Sequence, residues 1–95
     1  MKLKIIAQIL AKTEKRELVK SEFLKLIAPT HLEEGCIEYN MYQDNENPNL
    51  FIFIENWESE ELLQKHMKTE HFLASRKATE NAIETFTVNK MTQIG

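Results

Sequence analysis

The sequence predicts an α+β fold in which one four-stranded antiparallel sheet carries its helices on a single face. Three observations indicate it. The chain opens with a long apolar, β-branched run from Leu3 to Ala11. Two later segments each show apolar residues at helical spacing, and a dense polar turn at 44–49 separates two further strands. A length of 95 residues suits one domain, which we expect to cover residues 1–95.

The first predicted strand, Leu3 to Ala11, is apolar on both faces, as is typical of a strand inside a sheet. Thr13 is the expected N-cap of the helix that follows. Pro29 should end or kink that helix. One apolar stripe should bury its inner face: Val19, Phe23, Leu26 and Ile27.

Cys36 to Gln43 forms the second predicted strand, with Ile37, Tyr39 and Met41 on one side. The third, Leu50 to Trp57, is the most apolar segment of the chain. Its alternation predicts two different faces. One face carries Phe51, Phe53, Glu55 and Trp57, and the other carries Leu50, Ile52 and Ile54.

Ser59 is the expected cap of a short helix, and Thr69 of a second helix after a break. The inner face of the first should be Leu62, Leu63, His66 and Met67. The apolar positions of the second should be Phe72, Leu73, Ala78, Ala82 and Ile83. A last strand is predicted from Phe86 to Gln93.

This β-α-β-β-α-β order is the ferredoxin-like arrangement, in which the first and third strands are central. Its helices cover only one sheet face, so the stripe of Leu50, Ile52 and Ile54 would remain uncovered. Because an exposed apolar patch of this kind marks an interface, we expect a homodimer that packs sheet against sheet.

Composition excludes several classes of protein. The net charge is -3 and the basic residues are scattered, so no nucleic-acid partner is expected. No apolar run approaches the ~20 residues of a membrane span, and the N-terminal segment is expected to be mature sequence, not a signal peptide. A lone cysteine, Cys36, predicts a reducing, cytoplasmic location. Two glycines leave no glycine-rich loop for a nucleotide or flavin.

Glu55 is the first candidate for chemistry, because it lies in mid-strand among aromatic residues. Burial there would raise its pKa toward the range useful for a general acid or base. The alternative is a carboxylate that reaches solvent or pairs with a basic side chain.

His66 and His71 are the next candidates, on either side of the predicted helix break. Their spacing of five residues is not the one-turn spacing of zinc-binding histidine pairs, so the sequence predicts no metal unless the fold assembles a site. They could present an imidazole to a pocket, or serve as hydrogen-bonded core residues.

The motifs together resemble the antibiotic biosynthesis monooxygenase domain, and among its branches the quinol monooxygenases. The strings EEGCIEY, FIFIENWESEE and HMKTEHF carry this resemblance, through Glu34, Gly35, Cys36, Tyr39, Pro48, Phe51, Glu55, Trp57, His66, His71 and Phe72. The resemblance implies a dimeric α/β barrel built from two ferredoxin-like subunits. It also implies a pocket in each subunit between helices and sheet.

In that branch no metal, haem or flavin is needed: a quinol-like or phenolic aromatic is deprotonated, and its anion reduces O2. The resemblance therefore implies no cofactor, with a small aromatic molecule and O2 as partners. It nominates His66, His71 and Glu55 as catalytic residues. It nominates as substrate-binding residues Tyr39, Phe51, Phe53, Trp57, Phe72 and Arg76, the last as a group that stabilises an oxyanion.

Two other functions remain open for this family. A related branch isomerises a small signalling metabolite with a histidine pair, which His66 and His71 would fit. The domain could also be a non-catalytic, stress-related dimer that binds a ligand. Haem degradation is disfavoured, because Arg76 stands where those relatives carry the axial histidine, and Gln8 or a neighbour replaces their first-strand asparagine.

Overall fold

A computed structural model describes residues 2–95 and shows the predicted order of strands and helices. The elements are β1 (Leu3–Ala11), α1 (Arg16–Leu24), α2 (Ile27–His31), β2 (Cys36–Gln43), β3 (Leu50–Trp57), α3 (Glu60–His66), α4 (Glu70–Ala78) and β4 (Ile83–Met91). The expected domain over 1–95 includes Met1, which lies outside the described residues, and its extent stays a prediction. Within residues 2–95, no helix has the length and apolarity needed to cross a bilayer.

The four strands form one antiparallel sheet in the order β2-β3-β1-β4, so the two most apolar strands are central, as predicted. Pairing of Ile5 with Glu55 and of Ala7 with Phe53 places these residues on the face that the helices cover. This is the ferredoxin-like α+β fold. Its sheet is open at both edges, so a barrel would require a second chain.

The opposite sheet face carries the predicted apolar stripe. Leu50, Ile52 and Ile54 are all partly exposed, whereas their neighbours Phe51 and Phe53 are buried. The strict alternation along β3 confirms the two-faced strand predicted from the sequence.

Two of the three predicted helix caps are confirmed. The hydroxyls of Ser59 and Thr69 accept hydrogen bonds from the backbone N–H groups of Leu62 and Phe72, at 3.2 and 3.3 Å. The prediction for Thr13 is wrong, because α1 begins only at Arg16 and no side chain caps it. The Thr13 hydroxyl instead accepts a hydrogen bond from Asn49 Nδ2 at 2.9 Å, in the β2–β3 connection.

The last helix is shorter than predicted. Leu73 is 55% exposed, and Ala82 lies in a turn beyond the helix, where its carbonyl accepts a hydrogen bond from the N–H of Lys12. Because that contact holds Ala82 at the end of β1, pairing of β4 with β1 begins at the next residue, Ile83. The strand ends at Met91, so it does not span the predicted residues 86–93.

A second difference lies at the start of β2. The pairing register shifts between Cys36 and Glu38, which leaves Ile37 at 46% exposure instead of beside Tyr39. Such an extra residue re-aims the side chains that follow it. Tyr39 consequently lies opposite Glu55, on the helix-covered face.

Candidate active site

The centre of the candidate site is one carboxylate that holds two histidines. Glu33 Oε2 lies 2.8 Å from His66 Nδ1 and 2.5 Å from His71 Nε2. His66 is the last residue of α3 and His71 lies in the first turn of α4, so the break between these helices turns both rings toward Glu33. Their side chains are 2% and 28% exposed, respectively, and that of Glu33 is 14% exposed.

The loop that carries Glu33 depends on Gly35. This residue has a positive φ of 84°, a backbone conformation that other residues rarely adopt. A Cβ at this position would collide with the side chain of Leu62 on α3. Only glycine therefore lets the loop approach α3 closely enough for Glu33 to contact both histidines.

The shared carboxylate determines where the imidazole protons lie. A carboxylate accepts hydrogen bonds, so His66 must donate from Nδ1–H and His71 from Nε2–H. Burial lowers the pKa of His66, although the nearby Glu33 opposes this effect. A neutral His66 with its proton on Nδ1 keeps a free lone pair on Nε2, which is the form that acts as a base.

Aromatic rings surround His66. Ring centroids lie 4.8 Å from it for Trp57, 5.1 Å for Phe72 and 5.3 Å for Tyr39. Edge-on and tilted contacts at these distances fix the imidazole plane as well as its position. The imidazole is thereby held in one orientation by Glu33 and by the surrounding rings.

Glu55 is the second titratable group on this face. It is 5% exposed, and Trp57 Nε1–H donates a hydrogen bond to its Oε1 at 2.8 Å. Burial raises the pKa of Glu55 to about 7; the Trp57 hydrogen bond opposes this rise, and the charge of Glu33 adds to it. Among residues 2–95 no lysine or arginine forms an ion pair with Glu55, so its carboxyl group can exchange a proton near neutral pH.

Glu55 and His66 face one narrow cleft between the sheet and the last two helices. Its volume is about 20 Å³, which is room for about one water molecule. Since a cavity of about 150 Å³ accommodates benzene, the cleft has to widen before it admits an aromatic ring. The lining is otherwise apolar: Ile5, Ala7, Leu63, Met67, Phe72, Phe86 and Val88.

The predicted site residues lie at different distances from this cleft. His66, Glu55 and Phe72 line it, while Trp57 and Tyr39 contact His66 from the sheet side. His71 joins the cluster through Glu33.

Three further predicted residues lie outside the cleft. Phe53 packs against Tyr39 with ring centroids 5.0 Å apart, and so helps to fix the position of the Tyr39 ring. Phe51 is buried toward the other end of β3, opposite Gln43 and beside a separate surface hollow. The Arg76 guanidinium lies 4.0 Å above the ring of Phe86, which itself lines the cleft.

Sequence reasoning missed Glu33, the residue that connects the two histidines. The available signal was the acidic pair before Gly35, but nothing in the pattern says which of its members points inward. The structure separates them, because the Glu34 side chain is 75% exposed and faces Lys65 at 3.8 Å. The sequence also missed Met67 and Phe86 as lining residues.

Comparison with known proteins places the chain in a family. The family model described as antibiotic biosynthesis monooxygenase matches residues 3–78. The chain is 35% identical over 66 residues to the Bacillus subtilis protein named "Putative monooxygenase YcnE", and 70% of each chain is covered. The crystal structure of PA3566 from Pseudomonas aeruginosa superimposes with a TM-score of 0.94 at 31% identity, over 99% of this chain and 95% of that one. A crystal structure of an antibiotic biosynthesis monooxygenase gives 0.91 at 31% identity, over 98% and 99% of the two chains. The protein therefore belongs to the antibiotic biosynthesis monooxygenase family.

Proposed function

We propose that this protein is a monooxygenase for a quinol-like or phenolic aromatic and that it works without metal, haem or flavin. The observation that carries the proposal is the Glu33–His66 hydrogen bond, which leaves the Nε2 lone pair of a buried imidazole free beside an aromatic cleft. Membership of the family supports the reaction class.

In the proposed reaction His66 Nε2 accepts the proton of a substrate hydroxyl, and Glu33 stabilises the imidazolium that forms. The resulting phenolate is electron-rich and transfers electrons to O2. For a quinol, one oxygen atom enters the ring and the other leaves as water. The substrate loses four electrons in becoming a hydroxyquinone, and O2 takes up all four.

The remaining residues of the site have supporting roles in this proposal. Glu55 gives or receives a second proton, since its pKa of about 7 allows either form near neutrality. Trp57, Tyr39 and Phe72 would hold the substrate ring against His66. Phe53 would act through Tyr39 and Arg76 through Phe86, while Phe51, at the other end of β3, has no direct part in this proposal.

We also propose that the working form is a cytoplasmic homodimer. The stripe of Leu50, Ile52 and Ile54 is partly exposed on a sheet face that is open in the single chain, and packing against a second copy would bury it. The lone Cys36 suits a reducing compartment.

Incubation of the protein with a reduced naphthoquinone under ¹⁸O2 tests the proposed chemistry. The expected product carries one ¹⁸O atom, and none forms under argon. Equal product in both atmospheres, or a product without label, would contradict the oxygenase. His66→Gln should remove the activity, while His31→Gln, a change at a histidine outside the cluster, should leave it.

A second candidate function is an isomerase, because two histidines on one carboxylate can deliver and remove protons on one substrate. Such an enzyme would catalyse exchange of solvent deuterium into a small hydroxyketone under argon. That exchange should disappear in His71→Ala. A ligand that is retained without either turnover would indicate a non-catalytic binding protein.

A further inference from the structure

We propose that Glu33, His66 and His71 form a binding site for a divalent transition metal, with Zn²⁺ as the ion that fits best. One donor atom from each residue lies within 4.8 Å of the other two. Imidazole nitrogen and carboxylate oxygen are usual zinc ligands, and two histidines with one carboxylate leave a fourth position open.

The donor atoms have to change their separations in two ways to hold the ion. Zinc lies about 2.0–2.2 Å from such donors, so the donor atoms around a tetrahedral ion are about 3.3 Å apart. In the structure Oε2 of Glu33 is closer to each nitrogen, at 2.8 and 2.5 Å, because protons bridge them. The metal would replace these protons as the carboxylate withdraws by about 1 Å and the two imidazole nitrogens, which lie within 4.8 Å of each other, approach to about 3.3 Å.

The more exposed members of the cluster, His71 and Glu33, are the ones that would make that adjustment. His66 is 2% exposed and fixed by aromatic rings, whereas His71 is 28% exposed and Glu33 lies on a loop. Among residues 2–95, Glu33 has no lysine or arginine within ion-pair distance. Its negative charge is therefore available to a cation.

Metal binding has a chemical consequence for the cleft. A neutral imidazole that coordinates through Nδ1 must carry its proton on Nε2. The nitrogen beside the cleft then changes from an acceptor to a donor, and His66 can no longer take a substrate proton. The ion would therefore inhibit the enzyme. This effect on activity rests on the proposed function, whereas the binding of the metal does not.

Titration of chelator-treated protein with Zn²⁺ against a chromophoric chelator tests the site without any activity assay. We expect one Zn²⁺ per chain. Removing a ligand by Glu33→Gln or His71→Ala should weaken binding at least about tenfold. Glu34→Gln, the same charge change one residue away, and Cys36→Ser should leave the affinity unchanged.

The two ligand variants, Glu33→Gln and His71→Ala, test the site independently, so one suffices if the other misfolds. His71→Ala should fold, because the His71 side chain is 28% exposed. Absence of binding in the wild type, or equal affinity in all four variants, would overturn the metal site. With ¹⁵N-labelled histidine, the bound ion should move the His66 proton from Nδ1 to Nε2. Zinc that binds but leaves substrate turnover unchanged would refute the base role of His66 and not the site.

Discussion

The two faces of the sheet differ in how far the chain itself covers their side chains. On the helix-covered face, Glu55 receives a hydrogen bond from Trp57, and His66 donates one to Glu33, so the buried polar groups at the centre of the site have partners. On the other face, Leu50, Ile52 and Ile54 are partly exposed, and no helix among residues 2–95 packs over them. The strand β3 contributes alternate residues to both faces.

This difference assigns the proposed chemistry to a face that one chain completes, and the proposed assembly to a face that a second chain would cover. The helix-covered face holds an oriented imidazole, the proposed base, and a carboxyl group whose pKa burial raises to about 7. On β3 the open face holds no titratable group: Leu50, Ile52 and Ile54 are apolar, and Asn56 is polar but uncharged. We therefore expect changes on the first face to alter chemistry and pH dependence, and changes on the second to alter assembly.

The largest effect is expected from His66→Gln, which removes the base while keeping a side chain that can donate to Glu33. General bases contribute about 10²–10⁴-fold to rate, so kcat should fall by that factor. Steady-state turnover of a reduced quinone measures it. A variant with wild-type kcat would remove His66 from the mechanism.

Glu55→Gln should change how stability depends on pH. The pKa of Glu55 rises from 4.5 to about 7 on folding, so the native state holds the proton more tightly than the unfolded state. The stabilisation is complete below about pH 4.5 and is lost as the pH rises through about 7. Between about pH 5 and pH 8 the free energy of unfolding of the wild type should therefore fall by up to about 3 kcal/mol relative to that of Glu55→Gln. Denaturant unfolding at several pH values measures this difference, and parallel curves would contradict it.

On the open face, Ile52→Lys should weaken the proposed dimer. A buried apolar anchor replaced by a charge costs about 2 kcal/mol or more, which is roughly a thirtyfold rise in Kd. Sedimentation at several concentrations would report the shift. Leu32→Lys, at a position 88% exposed and outside the sheet, should leave the assembly intact. If Ile52→Lys also leaves it intact, the open face is not the interface.

The smallest effects concern the helix caps that hold the covered face. Ser59→Ala removes the acceptor at the start of α3 and should cost about 1 kcal/mol of unfolding free energy. Thr13→Ala should cost less, because no helix N–H depends on that hydroxyl. A larger loss for Thr13→Ala would mean that its hydrogen bond with Asn49 stabilises the fold more than the cap does.

Much of the fold could be predicted because it follows from local patterns. Alternation along β3 fixes which residues are buried, and short polar side chains at 59 and 69 begin helices. The Ile37 bulge and the early end of α4 could not be predicted. They depend on contacts between segments distant in the chain, such as Lys12 with Ala82.

The candidate site was predictable only in part for the same reason. Glu55 and Trp57 lie two residues apart on one strand, so their proximity follows from strand geometry. Glu33 and His66 are 33 residues apart, and only the packing of a loop against α3 brings them together. The five-residue spacing of the histidines gave no hint that both would contact one carboxylate.

The central claim is that Glu33 holds neutral His66 with its proton on Nδ1, so that Nε2 is free beside the cleft. The ¹⁵N chemical shifts of labelled histidine side chains near pH 7 test it most directly. We expect a protonated Nδ1 and an unprotonated Nε2 for His66, and loss of that preference in Glu33→Gln but not in Glu34→Gln. A proton on Nε2 in the metal-free wild type, or on both nitrogens, would contradict it.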